Sequence, residues 1–270
     1  MEKNIGIIGC GNMGQAILGG IINSNMVMPH NVMISNRGKD KLNYIKNKYN
    51  INICDSNTQI PNFSDIIILA IKPNICNDVI EEIKDLIKKD TIIISIVAGI
   101  SLEQLSNKFN KGVKIIRVMP NTPALVGEAM SALSYNEFVN DNDVELAKKI
   151  FESFGKVEII DEKLMDAVTA ISGSSPAYVY MFIEALADGG VLLGLSRDKA
   201  YKMAAQAVLG SAKMVLETKE HPGKLKDNVC SPSGTTIEAV YTLEKNNFRG
   251  SIISAVKQCG EKSQNMGKNN

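Results

Sequence analysis

The chain has 270 residues, of which 44% are hydrophobic and 22% are charged, as in an ordinary globular protein. Thirty basic residues balance 29 acidic ones, so the composition predicts no nucleic-acid partner and no binding to a charged membrane surface. No apolar run approaches about 18 residues and no leader pattern is evident, which predicts a cytoplasmic protein without a membrane span. The five cysteines are scattered and odd in number, which disfavours disulfides and a zinc site.

A glycine-rich turn between a strand and a helix organises the start of the chain. Ile5, Ile7 and Ile8 predict a short buried strand, and apolar residues at helical spacing begin at position 13. The intervening Gly-Cys-Gly-Asn-Met-Gly has the G-x-G-x-x-G spacing of a dinucleotide-binding loop, in which backbone and helix N-terminus approach a pyrophosphate. A glycine-rich turn without a ligand is the alternative. The candidate cofactor-binding residues here are Gly9, Gly11, Asn12, Met13 and Gly14.

The end of the second predicted strand, 32–35, bears on which dinucleotide is bound. An NAD-binding unit usually carries a carboxylate at this point, whereas here Asn36, Arg37 and Lys39 follow Ser35. A carboxylate would repel the 2′-phosphate of NADP, while Arg37 can pair with it through two hydrogen bonds. The sequence therefore favours NADP(H) and leaves NAD(H) as a second possibility. The alternative is that Arg37 is a solvated loop residue.

Strands and helices alternate through residues 1–161. Apolar runs predict further strands at 51–53, 65–71, 91–96 and 113–118, with helices at 42–49, 75–87 and 101–109. An edge strand at 129–135, a helix at 142–154 and a short strand at 157–160 complete this part. The pattern is that of a doubly wound α/β sheet, whose ligands bind at the carboxyl ends of the strands. We predict a dinucleotide-binding Rossmann domain over residues 1–161.

Residues 162–270 are predicted to be almost entirely helical. After a helix at 163–171, the segment 178–193 is apolar on most faces, and 196–219 forms a second long helix rich in small residues. A helix that is apolar all round is buried on all sides, which a segment of this size hardly allows alone. We therefore predict a two-fold helical core shared with a second copy of the chain. A self-contained bundle is the alternative.

A polar loop is predicted at 227–236, before a helix at 237–245. The N–H groups of such a loop and the helix dipole together suit a small carboxylate. Thr235 and Thr236 can also offer a hydroxyl to a reacting group. An ordinary helix N-cap is the alternative, and spacing alone favours it.

The chain resembles the pyrroline-5-carboxylate reductases over nearly its whole length, and five segments carry the resemblance. They are IGIIGCGNMGQAILGG, ILAIKP, RVMPNTPALVGEA, ISGSSPAYVYMFIEALADGGVLLGL and, most specific, HPGKLKDNVCSPSGTTIEAV. The resemblance implies reduction of L-Δ1-pyrroline-5-carboxylate to L-proline, the last step of proline biosynthesis, with NADPH or NADH. It also implies homodimers interlocked through the C-terminal helices, which often assemble into a decamer of five dimers.

The resemblance further implies which residues form the site. The residues expected near the nicotinamide end of the cofactor are Ala70, Lys72, Pro73 and Ala98. Those expected near its adenosine end are Ser35, Asn36, Arg37 and Asn57, and Asn228 matches another residue near the cofactor. The substrate carboxylate is expected at Ser233, Gly234 and Thr235. Thr236 matches a threonine proposed to hydrogen-bond the ring nitrogen, which makes it the candidate catalytic residue.

Serine stands at two positions where glycine is common in the family. Ser175 lies in the segment SGSSPA and Ser233 in the segment PSGTT. Glycine tolerates a positive φ better than serine does, but serine is small, so we expect the loop geometry to survive at both positions.

A protonated cyclic imine is already an electrophile, so its reduction needs positioning more than acid or base catalysis. The sequence accordingly shows no histidine pair, cysteine nucleophile or metal-binding set. One alternative is a β-hydroxyacid dehydrogenase, which uses a lysine on the first long helix of its second domain; the segment 178–193 has no lysine. The other is an NADP-binding redox sensor without turnover, which would not need an anion-binding loop at 227–236.

Overall fold

The computed structural model describes residues 2–109 and 112–268. Its strands are β1 (Ile5–Ile8), β2 (Val32–Ser35), β3 (Asn52–Cys54), β4 (Ile66–Leu69), β5 (Ile92–Ser95), β6 (Lys114–Met119), β7 (Ala129–Tyr135) and β8 (Gly155–Ile159). They form one sheet in the order β3-β2-β1-β4-β5-β6-β7-β8. Strands β1 to β6 pair in parallel, β7 runs antiparallel to β6, and β8 runs parallel to β7. The predicted doubly wound α/β fold is confirmed.

Helices connect these strands and cover both faces of the sheet. They are α1 (Asn12–Asn23), α2 (Lys39–Tyr49), α3 (Ile60–Phe63), α4 (Cys76–Ile83), α5 (Leu102–Lys108) and α6 (Asp141–Glu152), and the short helix α7 (Met165–Val168) follows the last strand. The helix α5 begins with a capping box, in which Ser101 and Gln104 bond to each other's backbone N–H groups.

The core lies on both faces of the central strands, because successive residues of a strand point to opposite faces. On one face, Ile66 and Ile68 of β4 belong to a cluster with Ile17 of α1 and Phe151 of α6. On the other face, Ile67 belongs to a cluster that includes residues of α4 and α5. Every residue of β1, β4 and β5 is buried, as expected for strands that helices cover on both sides.

Two elements of this part differ from the prediction. The strand β7 is not an edge strand, because β8 pairs with its outer side. The predicted helix at 163–171 is interrupted: a 3₁₀ turn at Glu162–Leu164 precedes α7, and a π-helix follows at Thr169–Gly173. The hydroxyls of Thr169 and Ser172 each donate to the carbonyl four residues earlier, which loosens a regular helical ladder.

The rest of the chain is helical, as predicted. Its helices are α8 (Ser175–Leu192), α9 (Arg197–Thr218), α10 (Pro222–Val229), α11 (Thr235–Lys245) and α12 (Phe248–Lys268). The helix α10 was not predicted, and it corrects the polar loop at 227–236 to residues 230–234. His221 caps the start of this helix by accepting from the N–H of Gly223. Pro222 occupies the first helical position, where no N–H is needed.

The described chain divides into two compact units. The first comprises residues up to 174 together with the end of α12 from residue 259, and the second comprises residues 175–258. The functional division into residues 1–161 and 162–270 is a separate matter and stays a prediction. No helix in the described parts of the chain is long and apolar enough to cross a membrane.

Candidate active site

The dinucleotide loop, residues 9–14, connects the carboxyl end of β1 to α1. The N–H of Gly9 donates to the carbonyl of Ser35 over 2.9 Å, and the N–H of Ala70 donates to the carbonyl of Ile8 over 2.8 Å. The loop therefore leaves the sheet between β2 and β4, the two neighbours of β1. In a doubly wound sheet, this reversal of strand order forms the crevice in which dinucleotides bind.

Close packing requires two of the three glycines in this loop. Gly9 has a φ of 101°, and a Cβ there would lie 2.3 Å from the carbonyl oxygen of Ala70. A Cβ at Gly14 would lie 2.5 Å from the carbonyl oxygen of Gly9. A Cβ at Gly11, in contrast, would meet no atom within 4 Å. The space beside Gly11 is therefore open to a ligand.

The N-terminus of α1 has the properties that a pyrophosphate requires. Gly11 is its N-cap, no described side chain caps the helix, and its first turn contains no acidic residue. The first N–H groups and the helix dipole thus present partial positive charge at the open space beside Gly11. Asn12 is exposed and Met13 is half-buried at this end of the helix. The residues therefore fit the phosphates of a dinucleotide.

The thiol of Cys10 lies in this loop, but it is not a nucleophile. It is buried, and this burial raises its pKa to about 11, against a smaller opposing effect of the charge of Lys41. The group is therefore a neutral thiol at neutral pH, and only the thiolate reacts readily.

Asn36 holds the loop to the end of β2. Its Oδ1 accepts from the N–H of Cys10 over 3.2 Å, and its Nδ2 donates to the carbonyl of Gly38 over 3.4 Å. The next residue, Arg37, is exposed.

A chain of side-chain hydrogen bonds starts at the last residue of β2. The Oγ of Ser35 donates to the Oδ1 of Asn57 over 2.7 Å, and the Nδ2 of Asn57 donates to the Oε2 of Glu82 over 2.6 Å. Because Ser35 is 2% exposed, its hydroxyl supports Asn57 more than it faces solvent. No sequence pattern indicates Glu82, because the topology alone brings α4 to the end of β2.

The residues predicted for the nicotinamide end also lie at the carboxyl edge of the sheet. Ala70 directly follows β4, and a Cβ at Gly14 would lie 3.3 Å from the Cβ of Ala70. Lys72 is exposed and precedes the 3₁₀ turn Pro73–Ile75. Ala98 is exposed and follows β5 by three residues. The structure thus brings the cofactor candidates of the first compact unit to one sheet edge.

Asn121 is a residue of this edge that the prediction did not include. Its Nδ2 donates to the carbonyl of Ser172 over 3.0 Å, and its Oδ1 accepts from the N–H of Met130 over 2.9 Å. It thereby ties the loop after β6 to the π-helix and to β7. The signal in the sequence is an asparagine between two prolines, which marks a rigid loop but does not reveal its contacts.

The other candidates belong to the second compact unit. Asn228 is exposed near the end of α10, outside the corrected loop. In the loop, Ser233 has a φ of 57°, so the serine adopts a conformation that suits glycine better. A Cβ at Gly234 would lie 2.3 Å from the Oγ of Ser231 and 3.1 Å from its carbonyl oxygen, so the Ser231 side chain would have to move to make room for it.

The helix α11 begins directly after this loop. Gly234 is its N-cap, and no described side chain caps it. Thr235 and Thr236 are its first two residues; the first is exposed and the second is half-buried. The N–H groups of the first turn and the hydroxyl of Thr236 together can receive an anion and a hydrogen-bonding group. Among the described residues, no three His, Cys, Asp or Glu side chains are placed to hold a metal ion.

Comparison with known proteins decides the family. Residues 162–266 match the family model for pyrroline-5-carboxylate reductase dimerisation, and residues 4–99 match that for coenzyme F420-dependent NADP oxidoreductases. A pyrroline-5-carboxylate reductase of Escherichia coli is 50% identical over 268 residues, which are 99% of this chain and 100% of that protein. The chain belongs to the pyrroline-5-carboxylate reductase family. The counterpart from Arabidopsis thaliana is 38% identical over 262 residues, 97% of this chain and 95% of that one.

Solved reductases of this family share the fold over nearly the whole chain. The Plasmodium falciparum pyrroline carboxylate reductase with NADP bound has a TM-score of 0.90 and 38% identity, with 98% of each chain covered. The Coxiella burnetii enzyme has a TM-score of 0.92 and 33% identity, covering 98% of this chain and 99% of that one. The family that the sequence motifs indicated is therefore confirmed.

Proposed function

We propose that this protein reduces L-Δ1-pyrroline-5-carboxylate to L-proline with a nicotinamide cofactor, the last step of proline biosynthesis. The observation that carries the proposal is its membership of the reductase family, with an open dinucleotide loop and an uncapped helix N-terminus at Gly234. When bound, the cofactor supplies the hydride that the imine carbon accepts. In the proposed division, residues 1–161 bind the dinucleotide, and residues 162–270 dimerise and bind the substrate.

The cofactor phosphates are assigned to the dinucleotide loop. We assign the pyrophosphate to the first turn of α1, with Gly9, Gly11, Asn12, Met13 and Gly14. The residues assigned to the nicotinamide end are Ala70, Lys72, Pro73 and Ala98, and those assigned to the adenosine end are Ser35, Asn36, Arg37 and Asn57. Asn228 is assigned to the cofactor as well. Arg37 pairs with a 2′-phosphate, which makes NADP(H) the preferred cofactor and leaves NAD(H) usable.

The substrate is held through its carboxylate and its ring nitrogen. The N–H groups at the start of α11, with Ser233, Gly234 and Thr235, receive the carboxylate. The hydroxyl of Thr236 hydrogen-bonds the ring nitrogen and orients the imine carbon toward the hydride donor. The reaction needs this positioning more than proton transfer, because the protonated imine is already an electrophile. The neutral thiol of Cys10 takes no part.

We propose that the chain acts as a homodimer through its C-terminal helices and that five dimers assemble into a decamer. The large exposed apolar side chains of α8 and α9 support the dimer, and the family resemblance alone supports the decamer. Light scattering separates the two, since it measures either twice or ten times the chain mass of 29.4 kDa. The scattered free cysteines support a cytoplasmic location.

The experiment that tests this function measures NADPH oxidation with pyrroline-5-carboxylate at neutral pH. The variants are Thr236→Val, which keeps the shape and loses the hydroxyl, and Thr236→Ser, which keeps the hydroxyl. We expect Thr236→Val to lower kcat/KM about tenfold to a hundredfold, because a hydrogen bond to a charged group is lost, and Thr236→Ser to retain most of it. Equal activity of Thr236→Val would remove this residue from the mechanism. No oxidation by a folded wild type that binds NADPH would favour the redox sensor.

A further inference from the structure

Glu82, on the second turn of α4, is joined to the end of β2 through one amide group. The Oδ1 of Asn57 accepts from the buried hydroxyl of Ser35, and its Nδ2 donates to the carboxylate of Glu82 over 2.6 Å. Because the carboxylate of Glu82 can only accept, it pairs with the Nδ2 side of the amide, which leaves Oδ1 to accept from the hydroxyl of Ser35. The carboxylate is therefore held at a defined place beside the strand end.

This place matters because the end of β2 is where Rossmann domains distinguish the two dinucleotides. A carboxylate there binds the ribose 2′-hydroxyl of NAD and repels the 2′-phosphate of NADP. The segment Ser35-Asn36-Arg37 has no carboxylate and offers the exposed Arg37 instead. The fold nevertheless places a carboxylate near this strand end, that of Glu82 on α4.

We propose that Glu82 is a specificity-determining residue of the adenosine end. Its negative charge weakens the binding of a 2′-phosphate and favours a free 2′-hydroxyl, and so lowers the preference for NADP(H) that Arg37 creates. The inference rests on the proposed function, in that the adenosine ribose lies at the end of β2.

Two other carboxylates nearby are balanced by lysines. Asp55 lies 3.9 Å from the ammonium of Lys39, and both side chains are highly exposed. Glu81, the neighbour of Glu82 on α4, lies 2.7 Å from the ammonium of Lys84. Neither forms the bond to Asn57. Glu81 therefore serves as a control for the removal of one negative charge from the same helix.

The test compares the dissociation constants of NADP⁺ and NAD⁺, measured by titration calorimetry on the full-length wild type and on Glu82→Gln, Glu81→Gln and Arg37→Ala. A glutamine at position 82 can still accept from Asn57, so only the charge is lost. We expect Glu82→Gln to raise the ratio of the NAD⁺ to the NADP⁺ dissociation constant about threefold, and Glu81→Gln to leave it unchanged. The increase should shrink at high salt, because the charges are near the surface.

Adenosine 2′,5′-bisphosphate and adenosine 5′-phosphate provide a second readout without the nicotinamide. The same change in ratio with these two ligands places the effect at the 2′ position. An unchanged ratio in Glu82→Gln, or an equal change in Glu81→Gln, would overturn the proposal. If Arg37→Ala selectively weakens NADP⁺ while Glu82→Gln changes nothing, only the inference about Glu82 fails. If the wild type binds both dinucleotides and neither variant changes either dissociation constant, the assignment of the adenosine end fails as well.

Discussion

The two compact units differ in how much apolar surface a single chain buries. In the first unit, every residue of the central strands β1, β4 and β5 is covered by helices of the same chain. In the second unit, the buried hydrophobic residues that the structure describes are three alanines, Ala187, Ala200 and Ala204. Leu216 there is 73% exposed. The sheet unit completes its own core, whereas the helical unit presents apolar surface that calls for another chain.

The difference is one of geometry as well as composition. A parallel sheet presents two faces, and the connecting helices of the same chain cover both of them. The helix α8 is apolar on nearly all sides, so neighbours within a unit of 84 residues leave much of it uncovered, and Met181 is 69% exposed. Exposed apolar surface on this scale marks an interaction surface, and the dimerisation family model covers these helices.

The largest expected effect comes from placing charges on the exposed face of α9. Leu209 and Leu216 are seven residues apart and 56% and 73% exposed, so they lie on one side of this helix. In Leu209→Glu/Leu216→Glu, unpaired charges would be buried in the dimer, each at a cost of about 2 to 5 kcal/mol. We expect the dissociation constant of the dimer to rise by at least about a hundredfold and the activity to fall with it. Analytical ultracentrifugation over a range of concentrations measures this change.

The matched control for these charges is Leu209→Met/Leu216→Met, which keeps an apolar side chain of similar size. We expect this variant to remain associated. If the glutamate variant retains the mass of the wild type, this face of α9 is not the interface, and the contrast between the two units fails at this point.

The next largest effect concerns the self-contained unit, through Gly14→Ala and Gly11→Ala. A Cβ at Gly14 would lie 2.5 Å from a backbone oxygen, so we expect Gly14→Ala to lower the free energy of unfolding by about 3 kcal/mol. A Cβ at Gly11 meets no atom, so Gly11→Ala should cost less than about 1 kcal/mol in stability. It should nevertheless raise the NADPH dissociation constant about tenfold, by filling space assigned to the pyrophosphate.

Urea unfolding at a fixed protein concentration and NADPH titration separate the two effects of these alanines. If Gly11→Ala bound NADPH as tightly as the wild type does, the assignment of the pyrophosphate to the space beside Gly11 would be wrong. The packing argument for Gly14 would be wrong if Gly14→Ala unfolded at the wild-type urea concentration.

The sequence predicted the sheet well for a physical reason. Short apolar runs such as Ile66–Leu69 are buried on both faces, so composition alone identifies them. The elements that the sequence did not predict depend on local hydrogen bonds. The helix α10 depends on a cap at His221, and the interruption before Gly173 depends on hydroxyls that bond within the helix. Composition does not record either arrangement.

In the candidate site, local and distant features differ in how far a sequence can predict them. The glycine spacing of the dinucleotide loop reflects local backbone needs, so it is readable in the sequence. Contacts between distant segments are not. The bond from Asn57 to Glu82 joins residues 25 positions apart, and the bond from Asn121 to Ser172 joins residues 51 apart. Only the topology brings these pairs together.

A smaller effect, about 1 kcal/mol for each group, is expected at alkaline pH. Burial raises the pKa of the Cys10, Cys54 and Cys76 thiols to about 11, above their value in the unfolded chain. Because the pKa is raised in the folded state, the buried neutral thiol stabilises the fold fully below the unfolded pKa. This stabilisation is lost as the pH rises toward 11. Between pH 8 and pH 10 the unfolded chain releases these protons and the folded chain keeps them. The free energy of unfolding should therefore fall by about 1 kcal/mol per thiol.

This alkaline loss belongs to the sheet unit, because all three thiols lie there. Urea unfolding at pH 8 and at pH 10 measures it, and Cys76→Ser should reduce the difference between the two pH values by about one thiol's share. Comparing pH values within one variant removes the packing cost of the substitution. A triple serine variant that loses as much stability as the wild type would show that other groups cause the loss.

The smallest expected effect lies in the helical unit, at the two serines that replace common glycines. Ser233 has a φ of 57°, which strains a residue with a side chain, so Ser233→Gly should raise the free energy of unfolding by about 0.5 to 1 kcal/mol. Ser175 has no positive φ and begins α8, so Ser175→Gly should lower it by a few tenths of a kcal/mol. Thermal unfolding at one protein concentration compares them, because dissociation contributes to the stability of this unit. Opposite signs would show that backbone strain at Ser233 is local to the loop before α11, whereas equal signs would mean that the loop relaxes when the helices associate.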